Sequence, residues 1–131
     1  MTQHIPKGTS KEDVYLRRAI IVERLAHLIG SSVPCRAFGT RKVEFLFASI
    51  DETATRASRR YESTLAALRV VEALRDAKMV RSDISRSQKQ KKMRFIKVYE
   101  LRANLKGIGN VKIMVGERKG KRILHYSITA Q

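Results

Sequence analysis

One histidine of the chain lies in a segment typical of a β-strand, with two hydroxyl side chains close behind it. His125 is followed by Ser127 and Thr129, and alternation along a strand places all three side chains on one face. An imidazole that titrates near pH 7 can relay a proton, while Lys or Arg stabilises charge on a phosphate. Because RNA carries its own nucleophile, the 2′-hydroxyl, this set predicts phosphodiester cleavage without a metal. A half-exposed strand histidine with no catalytic role is the alternative.

Cationic side chains on the neighbouring predicted strands fall on the same face of the sheet. Lys112 alternates with apolar residues along its strand, so its side chain points to the open face. Glu100 and Arg102 join that face if the preceding strand has a bulge near Lys97. We therefore expect Arg102 and Lys112 to stabilise phosphate charge beside His125.

A basic stretch and a pair of helix arginines are the candidate nucleic-acid contacts. Residues 81–122 hold 14 Lys and Arg against three Asp and Glu, and the whole chain carries a net charge of +16. Such a field attracts polyanions, and a phosphate backbone is its natural target. Arg56 and Arg60 share a helix face by their i, i+4 spacing, so they are either a phosphate grip or plain surface cations. The other candidate contacts are Lys89, Lys91, Lys92 and Lys97.

Length and composition predict a single domain over residues 1–131, with a flexible N-terminus over residues 1–10. A chain of 131 residues with 43% hydrophobic and 31% charged residues supports one core and excludes a large multidomain enzyme. The single cysteine excludes an internal disulfide, and the three histidines lie far apart, so no metal and no cofactor are predicted. The sequence contains no apolar run that resembles a signal peptide or a membrane helix. We expect action in the cytoplasm, or delivery into a target cell by a larger carrier, with no membrane partner.

Hydrophobic periodicity predicts an α+β fold, with N-terminal helices packed on a C-terminal antiparallel sheet in the order α-β-α-β-β-β. Ser10 is placed to cap a helix over residues 11–29, and Asp51 is placed to cap a second over residues 51–78, with a break near Arg60. A short strand is predicted at residues 43–47, a mobile basic loop at residues 81–94, and a meander of three strands at residues 95–105, 110–117 and 121–129.

This order of elements resembles the barnase/EndoU/colicin/RelE nuclease superfamily. The segments that carry the resemblance are KVYEL at 97–101, VKIMVG at 111–116 and HYSIT at 125–129. It covers about residues 40 to 129 and is nearest to the nuclease-like domains of polyvalent phage and mobile-element proteins and of contact-dependent toxins. The resemblance implies metal-independent cleavage of RNA, often tRNA, through a 2′,3′-cyclic phosphate.

Two further expectations follow from the resemblance. An inhibitor or immunity protein, acidic in charge, is implied as the partner that covers the basic cleft. Related domains often place a histidine near the start of the second helix, where this chain has TATRA at 53–57. If two histidines are required, activity is lost or is rebuilt around Arg or Lys.

A non-enzymatic protein is the competing interpretation. A basic nucleic-acid-binding protein, or an inhibitor encoded by a phage or mobile element, would use all of these cations for binding and would need no histidine. The sequence has no helix-turn-helix spacing, zinc ligands or aromatic ribonucleoprotein motif that would indicate an ordinary regulator.

Overall fold

The structure is a computed structural model that describes residues 4–85 and 87–131, with the side chains of Lys89 and Gln90 outside the description. The elements in chain order are α1 (Lys11–Leu25), β1 (Ser32–Pro34), β2 (Lys42–Glu44), α2 (Phe47–Ala57), α3 (Tyr61–Ala67), α4 (Val70–Asp76), β3 (Lys78–Ile84), α5 (Gln88–Lys92), β4 (Lys97–Leu105), β5 (Gly109–Arg118) and β6 (Arg122–Ala130). The predicted α+β class, with helices ahead of the antiparallel strands, is confirmed.

The sheet has six strands in the order β1-β2-β6-β5-β4-β3. Every pair is antiparallel except β2 and β6, which run parallel. The predicted C-terminal meander is confirmed, because β4, β5 and β6 are consecutive neighbours. Helices α2, α3 and α4 pack on one face of the sheet, which we call the inner face, and the opposite face is the outer face.

Helix α1 begins where the sequence predicts. The Ser10 side chain accepts a hydrogen bond from the Asp13 backbone N–H, which satisfies one of the free amides of the first turn. Arg17 is fully buried on this helix and donates to the carbonyls of Pro6, Gly8 and Ser58. Residues 6–8, within the segment predicted to be flexible, are therefore held against α1; residues 1–3 lie outside the described residues.

The second helix begins earlier than predicted. Strand β2 ends at Glu44, and α2 starts at Phe47 because the Ser49 hydroxyl accepts from the Leu46 backbone N–H. Asp51 lies inside the helix and pairs with Arg18 at 2.8 Å, so its predicted capping role is wrong. The break predicted near residue 60 is confirmed, and a second break precedes α4.

The basic segment at residues 81–94 is not the loop that was predicted. Residues 81–84 belong to β3, which pairs with β4, and residues 88–92 form the short helix α5. Every residue of β3 is exposed, so this edge strand is defined by its backbone hydrogen bonds and has no alternating apolar pattern to reveal it. Arg86 lies outside the described residues.

A bulge in β6 determines which side chains face the helices. Met114 is paired with Ser127 and Val115 with His125, which leaves Tyr126 as an extra residue without a partner on β5. The side chains on either side of a bulge change faces relative to a regular strand. The bulge predicted near Lys97 is wrong, because β4 pairs with β5 in unbroken register from that residue onward.

Apolar residues also cover one end of the outer face. Phe95, Val98, Leu124 and Tyr126 form a buried cluster there, which we call the apolar ridge. The Phe95 ring lies directly over Gly116, where a Cβ atom would overlap it. The glycine is therefore needed for the close approach of the ring, and its φ is ordinary.

We predict that Gly116→Ala lowers the free energy of unfolding by about 1–3 kcal/mol, because the methyl group displaces the Phe95 ring. Urea unfolding of the variant and the wild-type protein measures the difference. In a Phe95→Ala background the same substitution should cost much less, since the overlapping ring is gone. Equal costs in the two backgrounds would contradict this explanation.

Candidate nucleic-acid interface on the outer sheet face

His125 lies in the core and not on the open face that the sequence predicts. Its side chain is fully buried, stacks on Phe45 with ring centroids 5.0 Å apart, and places Nε2 2.9 Å from Thr53 Oγ1. The expected position is wrong because the bulge at Tyr126 turns His125 towards the inner face. Burial lowers the pKa of His125 to about 3, so the ring is neutral at physiological pH.

The hydrogen bonds around Thr53 indicate where the His125 proton lies. The Thr53 hydroxyl donates to the Tyr126 carbonyl at 3.3 Å, so its oxygen is the acceptor for the Nε2–H of His125. The other ring nitrogen, Nδ1, has no hydrogen-bond partner among the described residues. His125 is thus placed as a packing residue of the core, out of reach of a ligand on the outer face.

Four of the other predicted residues do lie on the outer face. Arg102 is paired with Lys112, and Lys112 with Thr129, so these three side chains form one row across β4, β5 and β6. Ser127 lies next to this row, opposite Met114, and is almost fully buried. The structure therefore brings Arg102, Lys112, Thr129 and Ser127 together and separates them from the predicted histidine.

A carboxylate that the sequence analysis gave no role lies at the centre of this face. The Glu100 side chain is 5% exposed. Its Oε2 lies 3.0 Å from Arg102 Nη2, and its Oε1 lies 3.2 Å from Arg81 Nε and 4.0 Å from Lys112 Nζ. We call these four residues the Glu100 cluster. The available signal was that Glu100 is one of only three acids in the basic stretch at 81–122.

The cations of the Glu100 cluster keep its carboxylate ionised. Burial by itself would raise the pKa of Glu100, but the hydrogen bond from Arg102 and the charges of Lys112 and Arg81 outweigh it, and the pKa lies below its usual value. A cleft of about 310 Å³ opens beside the carboxylate, between β3 and the outer face. Its lining includes Arg81, Asp83, Glu100 and Met114.

Arg56 and Arg60 do not form the predicted pair on one helix. Helix α2 ends at Ala57, so Arg60 lies beyond it and the shared helix face is absent. Arg56 bonds Glu52 at 2.6 Å and the Tyr126 hydroxyl at 3.2 Å, while Arg60 donates to the carbonyl of Ala130. Arg56 thus links α2 to Tyr126 of β6, and Arg60 links the chain after α2 to the end of β6.

The predicted lysine contacts are divided between the two faces. Lys91 and Lys92 are exposed on α5, which follows directly on Ser87 in the cleft wall. Lys97 precedes an outer-face residue, so its side chain points to the inner side, where Nζ lies 5.4 Å from the centre of the Tyr99 ring. The side chain of Lys89 lies outside the described residues.

Comparisons of the chain with models of known protein families, with curated proteins and with solved structures found no match. Among residues 4–85 and 87–131, no group of three or more His, Cys, Asp and Glu side chains is placed to hold a metal ion. No helix in that same part of the chain is long and apolar enough to cross a membrane.

We predict that acidification from pH 7 to pH 5 lowers the free energy of unfolding by about 2 kcal/mol through His125. The unfolded chain takes up this proton below pH 6.5, whereas the folded protein excludes it until about pH 3, so stability falls as pH falls. Urea unfolding at the two pH values measures the effect. His125→Phe should remove it, and His27→Gln, at an exposed histidine, should retain it. A loss that persists in His125→Phe would contradict the assignment.

Proposed function

We propose that the protein binds RNA on the outer face of its sheet and cleaves the RNA without a metal, with Glu100 as the base. The observation that carries the proposal is the buried carboxylate surrounded by Arg81, Arg102 and Lys112 beside an open cleft. This set of groups agrees with the resemblance to the nuclease superfamily, and it needs no histidine.

The position of the carboxylate favours cleavage over simple binding. A surface that only bound phosphates would lose affinity from a negative charge among its cations, since the carboxylate repels the ligand. A base, in contrast, must be ionised and close to the cations that neutralise the reacting phosphate. Glu100 meets both requirements, because it is ionised and its oxygens adjoin Arg81 and Arg102; its lowered pKa makes it a weaker proton acceptor than an ordinary glutamate, so the neighbouring cations must supply most of the rate.

The reaction is an attack of the RNA 2′-oxygen on the neighbouring phosphorus. Glu100 accepts the 2′-hydroxyl proton as the new P–O bond forms, and Arg102 and Lys112 stabilise the charge on the non-bridging oxygens. The bond to the 5′-oxygen then breaks, and this oxygen leaves with a proton from Lys112 or from water. The products are a 2′,3′-cyclic phosphate and a 5′-hydroxyl, without change of oxidation state.

The substrate and partner in this proposal follow the resemblance. The protein acts as a toxin on RNA of the cytoplasm, with tRNA as the substrate, and an acidic inhibitor or immunity protein covers the outer face. The net charge of +16 supports such a partner, because opposite fields speed the encounter of two proteins.

A non-enzymatic RNA-binding protein is the second candidate. The observation that favours it is that both oxygens of Glu100 are already engaged, one by Arg81 and one by Arg102. A carboxylate that only orders two guanidinium groups for phosphate binding would have the same contacts. The two candidates predict different results when the charge of Glu100 is removed. The first predicts slower cleavage of RNA, and the second predicts a change in RNA binding alone.

We predict that Glu100→Gln slows cleavage of a short RNA by about 10²- to 10⁴-fold, because the proton acceptor is removed. Binding of a 2′-O-methyl RNA, which lacks the nucleophile, should be unchanged or tighter, since a repulsive charge is removed. The assay is run with chelator, which tests the metal-free reaction directly. His125→Phe should retain cleavage, because that ring lies in the core.

Two further variants make the test of Glu100 decisive. Glu100→Asp keeps the negative charge that orders the cluster but has a shorter side chain, so its carboxylate lies farther from the 2′-hydroxyl. Cleavage should slow, while circular dichroism should show that the fold is kept. Glu23→Gln removes an acid from the exposed surface of α1 and should leave the rate unchanged. Absence of cleavage by the wild-type protein, with tight binding of RNA, would establish the second candidate. Full activity of both Glu100→Gln and Glu100→Asp would show that Glu100 is not the base.

A further inference from the structure

A second cluster of cations lines a pocket beyond the apolar ridge, at the end of the sheet where β5 turns into β6. The pocket has a volume of about 350 Å³ and is separate from the cleft beside Glu100. It is lined by Arg94, Ile96, Arg118, Lys119 and Arg122. We call it the hairpin pocket.

The sheet register explains why these side chains meet. Arg118 is paired with Arg122 across the β5–β6 hairpin, and the backbone N–H of Ile96 bonds the carbonyl of Glu117. Arg118 and Arg122 therefore occupy one row at the end of the outer face, and Ile96 lies beside them in the lining of the pocket. Arg118 Nε donates to the Met93 carbonyl at 2.8 Å, which holds its guanidinium over the pocket.

Arg94 reaches the pocket through an uncommon backbone conformation. Its φ is 65°, in the left-handed region that few residues other than glycine and asparagine adopt. Its backbone N–H bonds the carbonyl of Lys91 and closes the turn that follows α5. The arginine is thus held at a turn position where glycine or asparagine would be less strained.

The positive charge of the hairpin pocket is only partly balanced by the surrounding protein, through Glu44. Arg122 forms two hydrogen bonds with Glu44, but Arg94 and Arg118 form no ion pair with a carboxylate among the described residues. Burial, together with the nearby charges of Arg122 and Arg94, lowers the pKa of Arg118, and the charge of Glu44 offsets only part of that effect. Three guanidinium groups at one place repel one another, and a bound anion would remove that repulsion.

We propose that the hairpin pocket binds a phosphate group. A phosphate has more oxygens and more charge than a carboxylate, so it can meet two or three guanidinium forks together. The volume lies at the lower end of the range of small-molecule sites, and Ile96, which is 51% exposed at the pocket, supplies an apolar wall for the attached group.

The source of the phosphate is the RNA chain, an assignment that rests on the proposed function. Ile96 and Glu100 lie four residues apart in the chain, a separation of up to about 13 Å when extended, and they line two separate pockets. The apolar ridge lies between them. A phosphate in the hairpin pocket therefore belongs to a different nucleotide from the one at Glu100, and the pocket extends the RNA path along the outer face.

The test uses a pair of variants with a control of equal charge. Arg94→Asn removes a charge and keeps a residue that tolerates positive φ, while Arg118→Gln can still donate to the Met93 carbonyl. The control is the double variant Arg36→Gln and Arg75→Gln, whose exposed arginines lie on the helix side of the sheet. Lys119→Gln, at an exposed turn position, is a further variant that should not disturb the fold.

The expected result is that the Arg94→Asn and Arg118→Gln double variant binds a 2′-O-methyl RNA hexamer about tenfold more weakly than the control variant. The slope of log Kd against log salt should fall by about 0.7, because the variant neutralises one phosphate fewer. Inorganic phosphate should shift the NMR signals of the Ile96 and Lys119 amides in the wild-type protein, and not in the double variant. Lys119→Gln should weaken binding in the same direction but by a smaller factor.

Each other outcome has a definite meaning. Equal weakening in the double variant and the control, while RNA cleavage persists, overturns the hairpin pocket and leaves the proposed function. Phosphate shifts without any binding of RNA support the phosphate site and overturn the proposed function. If phosphate causes no shifts and a poly-glutamate peptide binds in a way that depends on Arg94 and Arg118, the pocket is a protein contact and the inference fails.

Discussion

The extra residue in β6 is the constraint on which the chemistry of the sheet depends. Because Tyr126 has no partner on β5, His125 turns to the helices while Ser127 stays on the outer face. The imidazole that was predicted to relay a proton is thereby buried against Phe45. The charged groups of the outer face then come from β3, β4 and β5, and they are cations around the carboxylate of Glu100.

Much of the fold could be predicted, because local patterns determine it. The cap at Ser10 and the alternation along β4 and β5 led to α1 and the meander. Strand β3 was missed because it is exposed throughout and carries no pattern. His125 was misplaced because the sheet is apolar on both faces at that end. Ile123 and Leu124, adjacent in the sequence and both buried, are typical of a strand covered on both sides.

Part of the candidate site could also be predicted from local patterns in the sequence. Lys112 was placed on the outer face because its strand alternates regularly, whereas Arg102 was placed there on the assumption of a bulge near Lys97 that the structure does not have. The contribution of Arg81 could not be foreseen, since it depends on pairing of an edge strand that the sequence hides. Glu100 was placed on the open face but given no role, because an acid among many cations gives a weak signal until its burial is known.

The buried guanidinium of Arg17 has a consequence for the order in which the protein assembles. It joins the carbonyls of residues 6 and 8 to that of Ser58, which lies 41 residues further along the chain than the arginine. The full set of three bonds is therefore complete only when α1 has packed against the residue that follows α2. None of these bonds belongs to the sheet, so residues 6–8 can separate from Arg17 by a local opening that keeps the strand pairing.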